Sequence, residues 1–218
     1  MRCGEVKGYI FDMDGVLCDS ESFIAEAAIA MFKKRYHLEV KRADFEPFIG
    51  MGEDRYLGGV AEKYSIGLQL EADKAETYRL YASCVKGKIQ ALPGVKAFLA
   101  RAKEAGIRLA VATSADEIKM KTNLKEMEIG ESFFDGLVSG LEIVHKKPSP
   151  DIFVEAASRL QLPTSACVVF EDALNGVIAA KLSGAYCIGI TSSFSSTALK
   201  NVGADLTIDT FSDITELP

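Results

Sequence analysis

The chain has 218 residues, of which 48% are hydrophobic and 26% are charged. This composition is typical of a globular domain and excludes a disordered, collagen-like or coiled-coil chain. The net charge is −6 and no basic run is present, so nucleic acids and anionic membranes are not expected partners.

The cysteine and histidine content limits the possible chemistry. Five cysteines without a Cys-x-x-Cys pair predict reduced thiols and no zinc site. Only two histidines are present, which weakens any mechanism that needs a His-rich metal cage or a Ser-His-Asp triad. The N-terminus lacks a hydrophobic signal region, so we expect a cytoplasmic protein. A form from an organelle such as a plastid, with its transit peptide removed, would have the same sequence.

In chain order, short apolar runs predict β-strands that alternate with helical patterns. The predicted strands are residues 6–11, 107–112, 166–170, 185–190 and 206–208. The predicted helices are residues 93–104, 117–127, 150–160 and 173–182. Apolar strands that alternate with helices in this way indicate a parallel sheet covered on both faces. The predicted fold is therefore α/β, with a doubly wound parallel sheet.

An insertion interrupts this alternation after the first strand. A strand–helix–strand crossover takes about 30 residues, but Asp12 and Ile107 are 107 − 12 = 95 positions apart. Apolar residues recur at helical spacing within the surplus. We therefore predict a core domain of residues 1–16 and 90–218 and a helical cap domain of residues 17–89. Such a cap could close over the edge where α/β sheets bind ligands.

Polar side chains follow the predicted strands or precede a helix in a nearby loop: Asp12, Asp14, Thr113, Lys147, Glu171 and Asp172. Because parallel strands bring their carboxyl ends to one edge, these side chains should converge. Four carboxylates in one crevice repel one another unless a cation joins them, and oxygen ligands without His or Cys suit Mg²⁺. A metal, a lysine and a hydroxyl around a carboxylate are typical of phosphoryl transfer.

Each of these residues also has a simpler interpretation. Acids at strand ends are often turn formers, and Glu171 could favour the dipole of the following helix. An isolated lysine in a loop is usually solvated. A calcium loop of the EF-hand type is disfavoured, because Gly15 stands in its fourth position rather than its sixth.

Four segments, in this order, resemble the motifs of the haloacid dehalogenase superfamily: residues 11–17 (Phe-Asp-Met-Asp-Gly-Val-Leu), 111–114 (Val-Ala-Thr-Ser), 147–148 (Lys-Pro) and 170–176 (Phe-Glu-Asp-Ala-Leu-Asn-Gly). The match covers nearly the whole chain, and the four motifs together are highly specific. The helical insertion resembles that of the subgroup with an α-helical cap, which contains small-molecule phosphatases and β-phosphoglucomutase. Residues 48–61 also resemble haloacid dehalogenase-like domains found in plants.

The resemblance implies a role for each matched residue. Asp12 would be the nucleophile that takes the phosphoryl group as an aspartyl-phosphate. Asp14 would protonate the leaving oxygen and then take a proton from the attacking water. Thr113 and Lys147 would hold the phosphoryl oxygens. Ser114 is the second candidate for the hydroxyl role.

The resemblance also implies a magnesium site. Its ligands would be the Asp12 carboxylate, the backbone carbonyl of Asp14 and the carboxylate of Asp172, with Glu171 close by. Substrate specificity would depend on the cap, where Glu53 and Arg55 are the predicted binding residues.

These features favour a Mg²⁺-dependent phosphatase, expected to be a monomer, that acts on a small phosphorylated metabolite such as a sugar phosphate or a similar monoester. The alternative is a β-phosphoglucomutase-like phosphomutase. At the cap position where those mutases carry an arginine, this sequence has Glu53, and Ile24 replaces their histidine; a shift of the alignment by two residues would restore Arg55. A phospho-accepting receiver domain ranks lower, because receiver domains have no acid two residues after the nucleophile, where this chain has Asp14, and no cap insertion of this size. A fragment of a larger protein would use the same chemistry for regulation.

Overall fold

The computed structural model describes residues 6–218. Its parallel strands form one sheet in the order β3-β2-β1-β4-β5-β6. The strands are β1 (Gly8–Phe11), β2 (Arg108–Ala112), β3 (Gly136–Val138), β4 (Cys167–Glu171), β5 (Tyr186–Ile190) and β6 (Leu206–Ile208). The predicted α/β class and the five predicted strands are confirmed. The sequence did not reveal β3, because three residues that begin with glycine form no recognisable apolar run.

Helices connect the strands and cover both faces of the sheet. They are α1 (Glu21–Tyr36), α2 (Glu53–Lys63), α3 (Leu70–Val85), α4 (Val95–Glu104), α5 (Glu117–Glu126), α6 (Asp151–Arg159), α7 (Leu174–Ser183) and α8 (Ser196–Asn201). The side chains of β1 show the two faces: Tyr9 and Phe11 belong to one apolar cluster and Ile10 to the other. This burial on both faces explains why the strands are apolar throughout rather than alternating.

Helices α1–α3 lie between β1 and α4, and we call them the cap helices. Helix α1 packs mainly against α3. Apolar side chains from α1 and α2, including Met31, Phe32 and Val60, are buried in the same cluster as Phe11. All three cap helices fall within the predicted cap of residues 17–89, whose exact limits remain a prediction.

Asp44 connects the segment between α1 and α2 to the end of α2 through hydrogen bonds. Its carboxylate accepts hydrogen bonds from the Tyr64 hydroxyl at 2.6 Å and the Lys41 backbone N–H at 2.8 Å, and it pairs with the Lys63 ammonium. Hydrogen bonds from Lys63, Tyr64 and Lys41 lower the pKa of Asp44 from 3.8 to about 2. The charged carboxylate therefore stabilises this part of the cap.

Asp44→Asn is expected to lower the free energy of unfolding by about 1–2 kcal/mol near neutral pH. Because the folded pKa of Asp44 is depressed, this stabilisation is complete above about pH 4 and is lost as the pH falls towards 2. Thermal melts of both proteins across this range should show the difference in melting temperature shrinking. Asp19→Asn, which alters an exposed carboxylate, should melt like the parent. A difference for Asp44→Asn that stays constant into acid would contradict the prediction.

No helix in residues 6–218 combines the length and the apolarity needed to span a membrane. Cys18, Cys84, Cys167 and Cys187 are free thiols, and Cys3 lies outside the described residues, as does most of the N-terminal segment searched for a signal.

Candidate active site

Lys147 joins the ends of two neighbouring strands. Its ammonium lies 2.6 Å from Asp12 Oδ1, directly after β1, and 2.5 Å from Glu171 Oε1, the last residue of β4. All three residues are buried. The structure thus brings together an acid, a lysine and a second acid that are separated by 135 and 24 positions in the sequence.

Glu171 is seated against the start of α7. Its Oε2 accepts a hydrogen bond from the Ala173 N–H at 2.7 Å. A Cβ atom at Gly176 would lie 1.7 Å from Glu171 Oε1. Only glycine therefore leaves room for this carboxylate, which gives a packing reason for the Gly at the end of the fourth motif.

Asp172 occupies a similar position against the loop after β1. Its Oδ2 accepts hydrogen bonds from the Ser193 hydroxyl and, at 3.3 Å, from the Ser192 hydroxyl. Gly15 has a φ of 78°, and a Cβ atom there would lie 2.0 Å from Asp172 Oδ2. The Asp-x-Asp-Gly turn is thus packed directly against the acid pair at the end of β4.

The carboxylates outnumber the cation that they share. Burial, together with the charges of Glu171 and Asp14, raises the pKa of Asp12 to about 7 although Lys147 opposes this. Burial and the charges of Glu171 and Asp12 likewise raise the pKa of Asp172. Burial alone would lower the pKa of Lys147, but Asp12 and Glu171 raise it above its usual value. The crevice therefore has excess negative charge.

Thr113 and Ser114 follow β2 at the same edge. Thr113 is buried, and its Oγ1 accepts a hydrogen bond from the Ala115 N–H at 3.1 Å. Both residues line the cavity described below. Lys146, which precedes Lys147 in the sequence, does not contact Asp12 or Glu171 in the way that Lys147 does. Its ammonium instead donates to the carbonyl oxygens of Gly140 and Ile143.

Asp14 has partners that sequence reasoning missed. Its Oδ2 lies 2.6 Å from the ammonium of Lys119, and its Oδ1 accepts hydrogen bonds from the Ser20 hydroxyl and, at 3.5 Å, from the Asn123 amide. Lys119 and Asn123 are one turn apart on α5 and are both buried. Their i and i+4 spacing within a predicted helix places both polar side chains on one face, and this spacing is the signal that could have found them.

A cavity of about 550 Å³ lies between this edge and the cap. Its floor contains Asp12, Asp14, Thr113, Lys147 and Asp172, and its cap side includes the segment 46–53 and residues of α1. The predicted floor residues therefore share one cavity.

The two predicted cap residues differ in position. Glu53, the first residue of α2, is buried and lines the cavity, and burial raises its pKa to about 7 against the effect of Lys119. Arg55 is not among the described residues that line it. The Arg55 guanidinium instead pairs with Glu62 at 2.8 Å and lies over the ring of Phe48.

The donor set fits a divalent cation that needs few protein ligands. Among residues 6–218, no group of three or more His, Cys, Asp or Glu side chains is arranged to hold a metal. Mg²⁺ typically uses one or two carboxylates together with water and substrate phosphate. Asp12 and Asp172 could provide these carboxylates. Lys147 contacts Asp12 as well as Glu171, and Lys119 contacts Asp14.

Comparison with known proteins identifies the family of this chain. A family model described as haloacid dehalogenase-like hydrolase matches residues 6–184. The chain belongs to this family. The match begins just before β1 and includes all four motifs recognised in the sequence.

The chain is similar in sequence or structure to three known proteins. It is 39% identical over 214 residues to the protein SUPPRESSOR OF QUENCHING 1, chloroplastic, of Arabidopsis thaliana. This match covers 97% of this chain and 20% of that protein. It is 31% identical over 182 residues to the phosphorylated carbohydrates phosphatase of Thermotoga maritima, covering 82% of each. A mutant of CbbY from Rhodobacter sphaeroides, solved with xylulose-(1,5)bisphosphate, superimposes with a TM-score of 0.85 at 26% identity over 97% of both chains. The chain thus spans a fifth of the plant relative.

Proposed function

We propose that this chain is a Mg²⁺-dependent phosphatase that hydrolyses a small phosphorylated metabolite, such as a sugar phosphate, through an aspartyl-phosphate. The observation that carries the proposal is the contact of Lys147 with both Asp12 and Glu171 on the floor of a cavity large enough for a small ligand. The carbohydrate phosphatase from Thermotoga maritima supports the same class of substrate.

In the first step, an oxygen of Asp12 attacks phosphorus and the bond from phosphorus to the leaving oxygen breaks. Asp14 donates a proton to that oxygen, so the product leaves as an alcohol. In the second step, water attacks the phosphorus of the aspartyl-phosphate, Asp14 takes its proton, and inorganic phosphate and free Asp12 result. Residues two apart in an extended segment face the same side, which suits this division of work between Asp12 and Asp14.

The other floor residues stabilise charge. Lys147 donates hydrogen bonds to phosphoryl oxygens while it stays near Asp12, and the Thr113 hydroxyl or that of Ser114 supplies a further donor. Asp12 and Asp172 would hold Mg²⁺, together with the backbone carbonyl of Asp14. When bound, the ion offsets the repulsion between the anionic nucleophile and the anionic substrate.

Metal removal tests the cofactor directly. Phosphate release from p-nitrophenyl phosphate should fall to background in EDTA and return when Mg²⁺ is added in excess. Mg²⁺ should also raise the melting temperature of the parent, because it relieves the excess charge around Asp12 and Asp172. Asp172→Asn, which removes one proposed ligand, should show a smaller rise. Full activity in EDTA, or equal shifts in both proteins, would contradict the metal assignment.

The phosphomutase alternative lacks a cation for a second phosphate at the position where the mutases carry arginine. Glu53 and Ile24 line the cavity, whereas Arg55 pairs with Glu62 outside it. Incubation with a hexose phosphate and its bisphosphate separates the two activities: net release of phosphate is expected, and an isomerised product without release would favour the mutase. Monomeric state and cytoplasmic or plastid location remain predictions from the sequence.

A further inference from the structure

The cavity holds far more negative than positive side chains. Among its described lining residues are two lysines and eight acids: Asp12, Asp14, Asp19, Glu21, Glu46, Glu53, Glu171 and Asp172. Both lysines already contact two carboxylates each. Lys147 lies against Asp12 and Glu171, and Lys119 lies 2.6 Å from Asp14 and 3.7 Å from Glu53.

Glu53 presents a buried carboxylate on the cap side. Its side chain is 6% exposed, and Oε1 is the atom that approaches Lys119. Oε2 is buried and has no hydrogen-bond partner within residues 6–218. The Tyr78 hydroxyl, which is also buried without a hydrogen-bond partner among the described residues, interacts with Glu53 from outside the described cavity lining. Glu53 itself lines the cavity, so its carboxylate can accept a hydrogen bond from a ligand hydroxyl.

The two kinds of leaving group would meet different environments here. A hydroxyl can donate a hydrogen bond to the Glu53 carboxylate. A second phosphate or a carboxylate would approach Glu53 and the other cap-side acids, Glu21 and Glu46, with no unpaired cation among the described lining residues to compensate. Like charges juxtaposed in this way cost several kcal/mol in complexes of known structure.

We propose that Glu53 is a specificity-determining residue that selects phosphate monoesters with a neutral, hydroxyl-bearing leaving group and rejects those with a second phosphate or a carboxylate. This inference rests on the proposed phosphatase function. It also separates this chain from the CbbY mutant, which was solved with a bisphosphate.

The test uses two matched pairs of substrates, the terminal phosphates of glycerol and glyceric acid, and those of glucose and gluconic acid. In each pair, only the second leaving group carries a carboxylate. We expect the parent, with Mg²⁺ at about pH 8, to favour the neutral member by about tenfold or more in kcat/KM. Glu53→Gln keeps the size and a hydrogen-bond acceptor but removes the charge, so its preference should fall severalfold, chiefly through faster hydrolysis of the acidic member.

Glu62→Gln is the matched control. It makes the same change on the same helix, at an exposed residue that pairs with Arg55, and should keep the parent's preference. Activity of all three proteins on p-nitrophenyl phosphate corrects for losses in folding or basal catalysis.

The outcomes separate the two proposals. A parent that hydrolyses p-nitrophenyl phosphate but does not prefer the neutral members overturns the specificity inference and leaves the phosphatase standing. A preference that Glu53→Gln leaves unchanged overturns the assignment to Glu53. Failure of the parent on every ester, p-nitrophenyl phosphate included, overturns the phosphatase proposal itself.

Discussion

Asp12→Asn is expected to reduce phosphate release by about a thousandfold or more while the protein stays folded. The asparagine amide is a poor nucleophile. Among the described residues, the other carboxylate that contacts Lys147 is Glu171, which ends the neighbouring strand β4. The loss should appear in kcat, because the variant retains Lys147 and Thr113 for binding phosphate.

The stability of this variant gives an independent readout. The pKa of Asp12 is raised to about 7, so near neutral pH the charged carboxylate destabilises the folded state, and the neutral amide removes that cost. Without metal, the melting temperature should therefore equal or exceed that of the parent. Asp205→Asn, at the opposite edge of the sheet just before β6, is the control and should keep full activity. Substantial turnover by Asp12→Asn would remove Asp12 as the nucleophile.

Lys147→Met should impair both activity and stability. Removing the ammonium leaves Asp12, Glu171 and Asp172 close together and buried without a cation, which should cost on the order of 3 kcal/mol in the free energy of unfolding. Activity should fall by about a hundredfold or more, because a donor to the phosphoryl oxygens is lost. Melting curves and steady-state kinetics measure the two effects.

Lys146→Met is the matched control, since this adjacent lysine is exposed and donates only to loop carbonyls among its recorded partners. It should retain most of the activity. Mg²⁺ should recover part of the lost melting temperature in Lys147→Met, because a divalent cation relieves the same repulsion. Equal activity losses in the two variants would contradict the assignment of Lys147.

The sheet could be predicted because burial on both faces makes its strands apolar without interruption. The strands β1, β2, β4, β5 and β6 follow this rule, and the predicted bounds differ from the observed ones by no more than two residues. The short strand β3 and the six-residue helix α8 escaped prediction, because neither is long enough to show a hydrophobic period. Their positions follow from tertiary packing at the sheet edges.

The floor of the site could be anticipated because parallel strands deliver their carboxyl ends to one edge, whatever their separation in sequence. The residue of the cap that faces the cavity could not be anticipated, because the direction of a helical side chain depends on where the helix begins. Helix α2 begins at Glu53. Arg55 is two residues further on, which places it roughly 200° around the axis. Only one of the two can face the cavity, and it is Glu53.

The central claim is that Asp12 accepts the phosphoryl group. The most direct measurement is to mix the Mg²⁺-loaded protein with p-nitrophenyl phosphate, quench it in acid during turnover, reduce it with borohydride and analyse its peptides by mass spectrometry. Borohydride converts an aspartyl-phosphate to homoserine, so the account predicts homoserine in place of Asp12 and nowhere else. Unmodified Asp12 in a protein that turns over the substrate, or trapping at another residue, would contradict it.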